Sequence, residues 1–140
     1  MTRQDAFKRL MLGVSADHRD YQQLETLLQS QFAAALRHDG AALTAIGEQV
    51  LTLVEAMDAR RQERVTVAGL LLGRKPVSMG AVIASLSGKP RATLEAWWQR
   101  LEALVNECKA LNARNGQLMA SQFEIMQRVL HGESDTYVPD

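Results

Sequence analysis

Apolar residues recur along most of this chain at alternating three- and four-residue intervals, the spacing of one face of an α-helix. Phe7, Leu10, Met11 and Val14 form the first group. They predict a short amphipathic helix over 1–14, capped by Thr2 and ended at Gly13. Tyr21, Leu24, Leu28, Phe32 and Ala35 line the next helix. Asp17 or Ser15 would cap its start, and Gly40 would sit just past its end. Leu43, Ile46, Val50, Leu53 and Met57 begin a third pattern with coiled-coil spacing. Arg60, Arg61 and Arg64 interrupt it, and the face then drifts to Val65, Ala68 and Leu72, as a 3.6-residue period does. Gly73 and Pro76 end it. A continuous helix over 41–72 spans ~48 Å.

Residues 73–90 (GRKPVSMGAVIASLSGKP) are irregular, with glycines and prolines around one apolar island at 82–86. Ser78 is placed to cap a short helix over 79–87 that folds onto the end of the bundle. A strand here would have no partner elsewhere in the chain. The last pattern is the longest: Leu94, Trp97, Leu101, Leu104, Cys108 and Leu111, continued by Asn115, Leu118, Gln122, Ile125 and Val129. Asn115-Gly116 is a strong turn signal inside it. The phase does not slip across that dipeptide, which predicts one uninterrupted helix. The expected fold is all-α: an antiparallel bundle of three long helices, with a short N-terminal helix and a short helical insert in the 73–90 loop. Residues 1–131 form one domain, and the polar segment 132–140 reads as a flexible tail.

Composition agrees with helices. Apolar residues make up 46% of the chain and aromatics only 5%. Sixteen basic and sixteen acidic residues cancel, so a chain-wide attraction to nucleic acid or anionic lipid is not indicated. Arg60, Arg61, Arg64, Arg74 and Lys75 cluster, but Glu55, Asp58 and Glu63 are interleaved. A solvated helix face is favoured over a phosphate-binding patch. No run is long and apolar enough to span a membrane, and the N-terminus lacks a signal-peptide core, so a cytoplasmic location is expected.

Candidate chemistry is sparse. Cys108 lies on an apolar seam and reads as a small core residue rather than a nucleophile. Neither cysteine nor histidine spacing suggests a metal site. His131, Glu133 and Asp135 fall near the tail, a poor place to hold a catalytic geometry. GLLLGRK lacks a phosphate-loop pattern. Trp97 and Trp98 read as packing residues. No cofactor is expected, and an enzyme is disfavoured. The unusual part is the second half of the last helix. Leu118, Met119, Phe123, Ile125, Met126, Val129 and Leu130 form a wide apolar stripe. Asn115 and Gln122 sit on the same seam, where unpaired burial would cost ~1–3 kcal/mol each. Two readings stay open: a wide core-facing stripe, or a surface that accepts a partner helix.

The run LNARNGQLMASQ, followed by Gln127, Leu130 and the tail DTYVPD, resembles the FlgN family of flagellar type III export chaperones. The first ninety residues match that family only in helical character and length. The resemblance implies a chaperone that binds the C-terminal helical segment of hook-associated proteins. It would prevent premature assembly and deliver them to the cytoplasmic domain of the export-gate protein. Carried over by position, the client site is Asn115, Gly116, Leu118, Met119, Gln122, Phe123 and Met126. Tyr137 is the gate contact. The alternative is a homo-oligomeric helical scaffold or adaptor without a client, the same face burying against its own copy. Weak self-association is compatible with either reading.

Overall fold

The structure, a computed structural model, describes residues 2–73 and 78–136, with side chains through Gly132. The fold is all-α. Helix α1 spans Arg3–Leu36, α2 Gly40–Leu72, α3 Met79–Ala84 and α4 Gly88–Thr136.

Thr2 caps α1 as its sequence position suggests. Its hydroxyl accepts from the Asp5 N–H at 3.1 Å, and the Asp5 carboxylate accepts from the Thr2 N–H at 3.4 Å. These two hydrogen bonds to Thr2 hold the Asp5 carboxyl below its ordinary pKa. The separate N-terminal helix expected over 1–14 does not exist, because α1 continues through Gly13 to Leu36. The reason is the seam. Leu10, Val14, Leu24 and Leu28 are all buried along one face, and each contributes roughly 1.5–3 kcal/mol. That outweighs the ~1 kcal/mol cost of an interior glycine. Asp17 is therefore no cap: it lies in the helix interior and is 2% exposed.

Gly40 is not the residue that ends α1 either. His38 takes the left-handed conformation, with φ 55°, and Asp39 then caps α2 by accepting from the Ala42 N–H at 3.0 Å. The chain turns before Gly40 because Asp39 supplies an acceptor for the new helix's orphan amides. At its other end α2 stops at Gly73, whose φ of 67° suits a residue without a Cβ. Ser78 caps α3 through the Ala81 N–H at 3.1 Å. Helix α4 carries Pro90 in its first turn, where a missing N–H costs nothing.

The three long helices run up, down, up. Helix α1 is central and packs against both α2 and α4. Among the described residues, no Cα of α2 comes within 8 Å of one of α4. At one end Met79, Val82 and Ile83 of α3 close the core over Ala6, Leu10 and Leu94, with Trp97 and Trp98 packed alongside. Towards the other end Leu24, Leu28, Met57, Cys108 and Leu111 form a second cluster.

Of the α2 arginines only Arg61 lies on the solvated face that the sequence suggests; Arg60 and Arg64 turn towards α1. Arg60 pairs with Asp17 at 2.6 Å and Asp20 at 2.8 Å, and Arg64 pairs with Asp17 while lying 5.4 Å from the Trp98 ring centre. Burial would lower the Arg60 pKa, but hydrogen bonds to Asp17 and Asp20 outweigh it and hold it above the ordinary value. Arg61 pairs with Asp58 on α2 itself at 3.1 Å. Arg74 and Lys75 lie outside the described residues.

Candidate functional site

At ~1.5 Å per residue α4 is about 74 Å long, against about 51 Å for α1 and 50 Å for α2. It passes through Asn115-Gly116 without a break, as the unslipped phase predicts. The two helices α1 and α4 are parallel and share one heptad frame. Three side chains on α4 reach carbonyls on α1. The Cys108 thiol donates to Tyr21 O at 3.5 Å, Asn115 Nδ2 to Leu28 O at 2.6 Å, and Gln122 Nε2 to Ala35 O at 2.9 Å. Every pair is separated by 87 residues, so the register holds over two heptads.

This geometry corrects the expectation that Asn115 and Gln122 face a partner. Asn115 is 0% exposed. Its amide also donates to Gln31 Oε1 at 2.9 Å, and its Oδ1 accepts from the Arg114 guanidinium at 3.2 and 3.3 Å. That guanidinium lies over the Phe32 ring at 3.7 Å. Gln122 is half-buried and spends its donor on the last turn of α1. The needs of Asn115 are met within the chain, and Gln122 places one donor there, because α1 offers carbonyls and a glutamine at matching heights. The sequence showed two polar residues on a seam but not the backbone atoms opposite them.

The other predicted site residues lie differently. Gly116 is exposed, and a Cβ added there would meet nothing within 4 Å. It stands one turn beyond Asn112, which lines an open cavity of about 210 Å³ between α2 and α4. Leu118 and Met119 are half-buried. Beyond Gln122 the stripe is open: Phe123 is 62% exposed, Ile125 54%, Met126 59%, Val129 58% and Leu130 56%. Ile125 and Val129 keep the spacing of the seam, but α1 has ended at Leu36. Ile125, Val129 and Leu130, part of the apolar stripe in the sequence but outside the carried-over client site, are more than half exposed, as Phe123 and Met126 are. Tyr137 lies outside the described residues, and α4 extends to Thr136.

Cys108 is buried, and its thiol is pushed up to about 11 by burial, then by the Glu25 and Glu107 carboxylates. It is a seam residue with little thiolate at neutral pH. Among the described residues, no group of three or more His, Cys, Asp or Glu side chains is placed to hold a metal ion. No helix is long and apolar enough to cross a membrane.

The longest helix of this all-α bundle thus carries an apolar, methionine-containing face past the end of its packing partner. A family model described as FlgN protein matches residues 1–132. The chain belongs to that family, whose members are flagellar export chaperones rather than enzymes. No curated protein and no solved structure gives a match.

Proposed function

We propose that this protein is a cytoplasmic export chaperone that holds the C-terminal helical segment of a hook-associated protein on the free end of α4. It keeps the client from assembling early and delivers it to the export gate. One observation supports this reading above the rest: five large apolar side chains, from Phe123 to Leu130, are more than half exposed on a helix that has outrun its partner. A client helix lying along the exposed side of α4 would cover them. Leu118, Met119, Phe123 and Met126 would supply the apolar contacts. Gly116 would let a client backbone approach closely, since it projects no side chain. Fully burying each large side chain contributes roughly 1.5–3 kcal/mol. A few of them give useful affinity while still permitting release. Family membership supports the chaperone reading over a clientless scaffold.

The test is complex formation with a hook-associated protein, followed by gel filtration and titration calorimetry. Phe123→Asp and Met126→Asp should each weaken binding by about tenfold or more, since each puts a charge in an apolar contact. Binding at wild-type affinity by both variants would refute the proposed face. A mass that grows with concentration and ignores the client would favour self-association instead. Tyr137 is proposed as the gate contact. Trimming residues 132–140 should spare client binding and reduce capture by the gate protein's cytoplasmic domain.

A further inference from the structure

We infer that Asn115 and Gln122 are positioning residues that fasten α4 to the last turns of α1, so that the binding segment leaves the bundle at one place and in one direction. The importance of that direction rests on the proposed chaperone reading; the fastening itself does not. An apolar seam fills space but tolerates small slips, because dispersion contacts are many and individually weak. A side-chain amide aimed at one carbonyl has one register, and polar residues at seam positions are known to set register at some cost in stability. Here two such amides sit one heptad apart, and both reach α1 with the same 87-residue offset.

Their heights are informative. Asn115 ties the seam at Leu28, well inside α1, and is completely covered. Gln122 ties it at Ala35, in the final turn of α1, whose carbonyl also accepts from the His38 N–H at 3.1 Å and so is held in place from both sides. The next seam positions, Ile125 and Val129, have no α1 residue opposite. The second fastening therefore stands in the final turn of α1, and the open face begins directly after it. Replacing Gln122 with an apolar group of similar size removes its bond to α1, and replacing Asn115 also removes its bonds to Gln31 and Arg114.

The experiment uses the full chain with spin labels at Arg37→Cys and Arg128→Cys in a Cys108→Ala background. Both label sites are exposed. Electron–electron dipolar spectroscopy should give a narrow distance distribution for the otherwise native seam. Asn115→Leu with Gln122→Met should broaden it about twofold while helix content by circular dichroism is unchanged. Gln122→Lys, which can donate to Ala35 O again, should stay narrow. Should the double substitution unfold the chain, Gln122→Met alone carries the same comparison at a half-buried position. Unchanged width in the apolar variants overturns the positioning role. In a second arm, affinity for a hook-associated protein should fall about tenfold in the broadened variants. Because the distance measurement needs no client, broadening in a chain that binds no hook-associated protein would sink the chaperone reading and leave the fastening standing.

Discussion

At Gly116 the chain gives up helix propensity where nothing in its own fold requires it. Glycine costs about 1 kcal/mol in a helix interior relative to alanine, and a Cβ at this position would meet open space. Gly116→Ala should therefore raise stability by about 1 kcal/mol in urea denaturation, yet weaken client binding if a client backbone passes there. Gly13 is the control. It is also interior to a helix, and a Cβ there would meet only the Arg60 side chain at 3.8 Å, an ordinary contact. Gly13→Ala should stabilise similarly and leave client binding alone. If both substitutions leave client affinity unchanged, Gly116 has no role in approach. At this scale the sequence exposed the anomaly of Asn115, Gly116 and Gln122 but not its resolution. Two of the three turn inward and one faces out, and that division depends on atoms contributed by α1.

The elements themselves were largely readable from spacing. The phase that carries α4 through Gly116 also carries α1 through Gly13: Phe7, Leu10, Val14, Asp17, Tyr21, Leu24, Leu28, Gln31 and Ala35 keep the alternation throughout. A charged residue at a seam position hides this, because an aspartate after a glycine looks like the start of a new helix. Only the arrival of Arg60 and Arg64 from α2 makes Asp17 a tolerable core residue. Asp17→Ala should consequently cost about 3 kcal/mol, since it leaves Arg64 without its carboxylate while Arg60 keeps Asp20. Replacing Asp17, Arg60 and Arg64 together with apolar residues should cost less than the single change, as a thermal denaturation series would show. A single-variant loss below about 1 kcal/mol would mean the pair is effectively solvated.

For the whole molecule the decisive quantity is a difference in length. Helix α4 outruns α1, and the segment after Gln122 exposes its apolar stripe. Removing residues 123–140 should accordingly shift the melting temperature by no more than about 2 °C, while abolishing client binding. A large loss of stability would show that the segment packs on the bundle in solution. The up–down–up path also follows from length. Short connections make successive helices antiparallel, which leaves α1 and α4 parallel and lets one heptad frame serve both.

Read alone, the sequence determined the helical class, the caps at Thr2, Gly73 and Ser78, the continuity of α4 and the family, because each of these depends on local spacing or on a contiguous motif. The tertiary structure alone decided where α1 ends relative to α4. That single offset divides one continuous apolar stripe into a part sealed by α1, with Asn115 and Gln122 satisfied by its carbonyls, and a part left open from Phe123 onward. Periodicity reports which residues share a face; it carries no information about how far the neighbouring helix reaches.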